Sequence, residues 1–210
     1  MVLRRVVVKS AAMHATDAAP LPCLSVTTPL RRVLIACEES ATVREKFRSG
    51  GWDAWSCDLL PSRVPGNHIQ GDVVPVLREP WDLVIAFPPC TRLCVSGNRW
   101  RAGREREEAE AVEFFMRFTR LDCPWAIENP IGVMSRLYRK PDQIVQPWQF
   151  GHGETKATCL WLDRLPLLVP SKVVSGRENR VWRMPPGPNR AKERSKTFDG
   201  IAQAMFDAWN

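Results

Sequence analysis

Residues Trp81–Cys90 read WDLVIAFPPC, and residues Trp125–Pro130 read WAIENP. Each is a short apolar run that ends at proline and delivers a reactive side chain, a thiol in the first and a carboxylate in the second. Unbroken apolar runs of this length mark strands buried on both faces of a parallel sheet. In such sheets functional groups gather beyond the carboxyl ends of the strands. A thiol nucleophile and a carboxylic acid placed side by side can attack and protonate a pyrimidine ring.

Working outward from this pair, strand and helix signals alternate. Upstream, Arg31–Cys37 predicts a buried strand, Glu38-Glu39-Ser40 a turn, and Ala41–Arg48 a helix closed by Ser49-Gly50-Gly51. Asp53–Cys57 predicts a second strand with Asp58 at its end. His68–Asp72 predicts a third, Val73–Arg78 a helical turn, and Trp81–Ala86 the fourth strand. Downstream, the basic stretch Thr91 to Arg106 predicts a loop. It leads into a helix over Arg104–Arg120 with Ala109, Val112, Phe115, Met116 and Thr119 on its buried face. Pro124–Ile127 predicts the fifth strand and Ile131–Tyr138 a short helix. Ala157–Leu162 predicts a further strand with a partner around Val145–Phe150, and Gly200–Trp209 a closing amphipathic helix. Residues 170–195, rich in Pro, Arg and Asn, predict irregular structure. The alternation predicts one α/β domain over residues 31–210, built on a doubly wound, mostly parallel, Rossmann-like sheet. Residues 1–30 lack periodicity and predict a flexible N-terminal extension.

Composition narrows the function classes. The 210 residues, 44% hydrophobic and 25% charged, suit a globular chain with its own core. No apolar run approaches the ~20 residues of a membrane span, so no membrane partner is expected. A net charge of +7 favours an anionic partner, with nucleic acid or a nucleotide first. The seven cysteines follow no paired spacing; Cys90 and Cys94 lie four apart without a second such pair. That argues against a metal site and points to a reducing compartment such as the cytoplasm.

The first strand-turn-helix is where such a sheet holds a nucleotide-like cofactor. Dinucleotide proteins place glycines there so that backbone can approach a pyrophosphate. Here Cys37-Glu38-Glu39-Ser40 is acidic and lacks glycine. Two carboxylates would repel a pyrophosphate, whereas a cationic cofactor such as S-adenosylmethionine would be accepted. Asp58, with Leu59 beside it, stands where an acid takes hydrogen bonds from ribose hydroxyls, and Asp72 where one takes an adenine amine. Each acid alone reads equally as a strand-end cap; at successive strand ends they point together to a cofactor, with Pro88 completing the set. Pro88 and Pro89 stiffen the backbone and remove donors, so the Cys90 thiol is aimed. Amine-methylating enzymes use a polar residue before two prolines and an aromatic one after them. Phe87 cannot accept a hydrogen bond and Cys90 replaces the aromatic, which argues for covalent chemistry at a ring carbon. Glu128, between Trp-Ala-Ile and Asn129-Pro130, predicts a half-buried carboxyl with a raised pKa, suited to proton donation. His68 and His152 read as structural.

These residues resemble the carbon-5 cytosine DNA methyltransferases, and more closely their short phage- and prophage-type relatives. The resemblance covers about residues 31 to 210. It rests on Val33–Ser40, Asp58, Gly71-Asp72, Phe87–Cys90, Ile127–Pro130 and the closing Gly200–Met205. It implies a catalytic group of Cys90, Glu128, Asn129 and Pro89. Cys90 would attack ring carbon-6, Glu128 would hold the ring nitrogen and amine, and the methyl of S-adenosylmethionine would pass to carbon-5. Loss of the carbon-5 proton would then expel the thiol. The resemblance further implies a base flipped from a duplex, or one arriving in a single strand or as a free nucleotide. Arg92, Arg99, Trp100 and Arg101, in the segment after the nucleophile, suit phosphate contact and stacking. Lys156 takes the place of the residue that grips the pyrimidine carbonyl. The stretch between Trp161 and Phe198 is too short for a full target-recognition domain. The substrate therefore stays open between DNA, RNA and a free pyrimidine nucleotide, with a non-catalytic DNA-binding relative as the alternative.

Overall fold

Strands β1 (Arg32–Ala36), β2 (Asp53–Asp58), β3 (His68–Gln70), β4 (Leu83–Ala86) and β5 (Trp125–Pro130) run parallel in the computed structural model, which describes residues 29–94, 103–188 and 190–210. Two more, β6 (Gln143–Val145) and β7 (Thr158–Asp163), complete a 7-stranded sheet of order β3-β2-β1-β4-β5-β7-β6. β7 is antiparallel to both of its neighbours. The domain is the doubly wound, mostly parallel Rossmann-like α/β fold that the alternation predicts. The strand order turns between β1 and β4, so the crevice where such sheets bind ligands opens over the ends of those two strands.

Leu34 and Ile35 are adjacent in β1 and both are fully buried, so the sheet has no solvent face there. Helices α1 (Thr42–Ser49) and α7 (Asp199–Trp209) cover one side. Val33 and Ile35 pack there with Phe47, Met205 and Trp209. The other side is covered by α2 (Val73–Val76), α3 (Glu105–Phe118) and α4 (Met134–Leu137). Leu34 and Ala36 pack there with Phe115, Phe118, Met134 and Trp161. The unbroken apolar runs are thus explained by burial on both faces.

Three expectations need correction. Ala109 is exposed; Val112, Phe115 and Met116 do face inward, and Ala111 and Phe118 complete the stripe. A residue six positions before Phe115 lands about a third of a turn off that stripe. β5 continues past Ile127 to Pro130 because β7 pairs with it as far as Pro130 opposite Thr158. Finally, the partner strand is Gln143–Val145, not Val145–Phe150, since Pro147 has no N–H to extend a ladder and a 3-10 turn follows over Pro147–Gln149. The irregular stretch expected at 170–195 contains two short helices, α5 (Arg180–Arg183) and α6 (Arg190–Ser195). The extension predicted for residues 1–30 falls almost wholly outside the described residues.

At the start of α7 a Cβ on Gly200 would lie 1.9 Å from the Phe150 carbonyl oxygen, so the helix docks only with glycine there. The Gly200 N–H donates to His152 Nε2 at 3.0 Å, which gives that histidine a structural use. His68 likewise bonds Ser56 Oγ and the Leu60 carbonyl. Among the described residues no helix is long and apolar enough to cross a membrane.

Candidate active site

The turn after β1 is held from within. Cys37 and Ala41, at its two ends, both lie in the left-handed region at φ 60 and 61. Such conformations cost of order 1–3 kcal/mol for residues other than glycine. Glu38 over-determines the turn: Oε1 accepts from the Val43 N–H at 2.8 Å and the Ser40 hydroxyl at 3.1 Å, and Oε2 accepts from the Arg44 N–H at 3.2 Å. These bonds cap the exposed donors of α1. Burial pushes the Glu38 carboxyl above its ordinary value, and the N–H bonds, the Ser40 hydroxyl and Arg44 pull it back only in part. Glu39 is clasped by the Arg63 guanidinium at 2.5 and 2.6 Å, with Lys192 at 3.9 Å. Both acids of the turn are therefore answered by the protein's own groups.

Asp58 and Asp72 differ. Asp58 Oδ1 accepts from the Leu60 N–H at 2.9 Å, and Asp72 Oδ1 accepts from the Val74 N–H at 3.0 Å as the cap of α2. Oδ2 of each lacks a partner among the described residues. Burial and then these two acids raise the Cys37 thiol well above its usual range. The same causes push Cys57 up to about 11. Asp58 and Asp72 thus converge on the rim of the crevice beside Cys37. Leu59, next to Asp58, is 73% exposed and offers an apolar surface at that rim.

The ends of β4 and β5 are tied together by one bond. Asn129 is buried, and its Nδ2 donates to the Pro88 carbonyl at 2.7 Å. Pro88 is buried while Pro89 is exposed and Cys90 is half-buried. A helical turn follows, in which the Leu93 and Cys94 N–H groups donate to the Cys90 carbonyl at 2.9 and 3.0 Å. That turn sits on the loop after β5: the Val133 N–H donates to the Leu93 carbonyl at 2.8 Å, and Cys94 bridges to Gly132. Asn129 Oδ1 is buried without a partner among the described residues. An orphaned acceptor costs about 1–3 kcal/mol and favours a bound donor.

Glu128 and Lys156 both act on Cys90, and Lys156 also acts on Glu128. A hydrogen bond with the Cys94 thiol, then burial, then Glu128 hold the proton on Cys90 far above the ordinary thiol range, and Lys156 opposes them. Burial also raises Glu128, against Lys156 and the neighbouring Thr158 hydroxyl, which itself donates to the Lys156 carbonyl at 3.1 Å. Lys156 is half-buried, fixed by its N–H to Gln146 Oε1 at 2.9 Å, with Nζ 3.4 Å from the Lys196 carbonyl. The arrangement unites a thiol, a carboxyl of raised proton affinity and a lysine amine at one crevice.

The expected nucleic-acid residues divide. Lys156 stands in the site. Arg92 is paired with Glu107 of α3, Arg104 reaches the same carboxylate at 3.9 Å, and Arg106 pairs with Glu110 at 2.8 Å. The described part of that basic stretch is therefore largely neutralised by the acidic first turns of α3. Arg99, Trp100 and Arg101 lie outside the described residues. Sequence reasoning missed Thr158 and Cys94 as partners of Glu128 and Cys90. The four-residue spacing of Cys90 and Cys94 was a usable signal, because on a helical turn it sets two side chains on one face.

No protein-family model matches the chain, and no curated protein does. Among solved structures it is similar to a candidate DNA modification methyltransferase encoded within an E. coli prophage, at 14% identity and a TM-score of 0.47. The match covers 69% of this chain and 52% of that one, so the chain spans about half the length of that relative.

Proposed function

We propose that this chain is an S-adenosylmethionine-dependent methyltransferase acting at carbon-5 of cytosine in DNA through a covalent Cys90 adduct. The observation that carries the reading is the union of two strand ends. Glu128 in β5 acts electrostatically on Cys90 after β4, and the Asn129–Pro88 bond holds the two strand ends together. Phe87 in front of the two prolines offers no acceptor for an exocyclic amine, which turns the site from amine chemistry to ring chemistry.

Cys90 gives up its proton to solvent as Lys156 steadies the thiolate. The thiolate adds to carbon-6, and the electron pair displaced from the carbon-5–carbon-6 double bond makes carbon-5 nucleophilic toward a methyl group. Loss of the carbon-5 proton to solvent then re-forms the double bond and expels Cys90. Glu128, whose proton affinity burial raises, donates to the ring nitrogen and limits the charge that develops. Lys156 lowers the energy of the Cys90 thiolate and faces the developing negative charge on the pyrimidine carbonyl. Pro89 keeps the turn rigid, and Asn129 fixes its position from below. The rim fits the cofactor through Asp58 and Asp72, whose Oδ2 atoms are open acceptors, with Leu59 and Pro88 as apolar neighbours. Cys37, Glu38, Glu39 and Ser40 shape the turn, while the charges of its two acids are spent internally. S-adenosylmethionine, when bound, supplies the electrophilic methyl group.

Calorimetry with S-adenosylmethionine, followed by tritiated-methyl transfer to cytosine-containing DNA, tests the reading. Binding together with label at carbon-5 supports it. Folded protein that binds no cofactor, or that transfers label to an exocyclic amine, contradicts it.

A further inference from the structure

The segment Lys172–Lys196 carries eight Lys and Arg against two Glu, a net of +6 in a chain whose total is +7. It is laced across the carboxyl ends of the strands. On one side the Thr155 N–H donates to the Glu178 carbonyl at 2.9 Å, and Arg180 donates to Glu154 Oε1 at 2.6 and 3.0 Å. At its far end the Lys196 carbonyl meets Lys156 Nζ. Arg63 donates to the Lys192 carbonyl and to Glu193, both at 3.1 Å, and Lys192 faces Glu39 of the β1 turn. The arm therefore borders both the thiol-carboxyl pair and the rim at β1.

Within the arm, Trp182 is 72% exposed beside exposed Arg183, while Arg180 is held by Glu154 and the neighbouring Val181 is buried and anchors the turn. An indole left in water on a cationic strip suits one kind of ligand: bases with open faces stack on it while guanidinium groups hold the phosphates. A duplex keeps those faces in its own stack and is read by a helix or ribbon entering the major groove. α5 has only 4 residues and supplies neither.

We infer that the Lys172–Lys196 arm is a docking strip for single-stranded nucleic acid, with Trp182 stacking on a base near the one presented to Cys90. This rests on the proposed pyrimidine chemistry for where the strand leads, but not for its binding.

Fluorescence anisotropy of the full chain, without cofactor, tests it. The probes are a labelled deoxyoligonucleotide, the same sequence in ribose form, and the blunt deoxy duplex. Either single strand binds about tenfold or more tighter than the duplex at equal salt, because only open bases stack. Trp182→Ala weakens that binding by about five- to a hundredfold, and Trp182→Phe restores most of it. Arg183→Ala reduces the slope of log affinity against log salt by about 0.7, the loss of one phosphate contact on a single strand. A duplex bound as tightly as the strands, or Trp182→Ala binding like the wild type, overturns the inference. Methyl transfer is scored on the same preparations. Strand binding through Trp182 without transfer supports the strip and removes the methyltransferase reading. Transfer with strand affinity indifferent to Trp182 does the reverse.

Discussion

At Cys90 the neighbours pull in opposite directions: the Cys94 thiol, burial and Glu128 hold the proton on, and Lys156 draws it off. Removing either partner should move the thiol in a known sense. Cys94→Ala lowers the Cys90 pKa, so alkylation of Cys90 by iodoacetamide at pH near 8 speeds up by about tenfold, read from its peptide by mass spectrometry. Lys156→Met slows the same reaction. A slower Cys94→Ala variant would show that the thiol pair does not set the proton affinity. Glu128 gives a second test with a defined sign. Its carboxyl is raised by burial, so the folded protein binds that proton more tightly than the unfolded chain. Its contribution to stability is full below the ordinary carboxylate range and is lost as pH rises through the raised value. Glu128→Gln, neutral at every pH, should therefore gain stability over the wild type as pH rises from about 4 to about 8, measured by urea midpoints. Methyl transfer by the same variant should fall about a hundredfold or more. Cys90 and Glu128 could be singled out from local sequence because each follows a run that only a buried strand explains. Cys94 and Thr158 could not be assigned roles that way, since their partners lie across a turn or a strand pairing.

The elements that present these groups depend on contacts of high sequence separation. β4 and β5 were readable from their apolar runs, whereas the continuation of β5 to Pro130 depends on pairing with β7. The inward use of Glu38 was likewise hidden, because its partners are backbone donors of α1 and not side chains. Replacing it tests that use: Glu38→Ala should cost about 1–2 kcal/mol in chemical denaturation, the range for a lost helix cap. An unchanged midpoint would mean that α1 does not need the carboxylate. The turn bearing Cys90 and Cys94 offers a sharper case at Gly132. A Cβ there would lie 2.0 Å from the Leu93 carbonyl oxygen and 3.0 Å from Cys94 Cα. Gly132→Ala must push that turn aside, and a shift near 1 Å lowers transfer by about a hundredfold. Circular dichroism and S-adenosylmethionine calorimetry should stay near wild type, because the sheet and the Asp58–Asp72 rim are not touched. Full activity in Gly132→Ala would contradict the placement of the turn.

For the whole molecule, the sum of charge was plain from composition while its location was not. The sequence points to the basic stretch from Arg92 to Arg106, yet its described arginines face Glu107 and Glu110. The net charge instead resides in Lys172–Lys196, a segment whose Pro-rich sequence predicted only irregular structure. What the fold achieves is to bring that arm, the acidic rim after β2 and β3, and the two strand ends to one edge of the sheet. The central claim is that Cys90 there forms a covalent bond to a pyrimidine. Trapping with 5-fluorocytosine measures this directly, since fluorine at carbon-5 cannot depart as a proton does and the adduct cannot collapse. Oligonucleotides bearing it, as single strand and as duplex, are incubated with the chain and S-adenosylmethionine. The prediction is a complex that survives denaturation, maps to Cys90 by peptide mass spectrometry, requires the cofactor, and is absent in Cys90→Ser. Protein that binds strand and cofactor yet forms no adduct, or an adduct that persists in Cys90→Ser, would contradict the account.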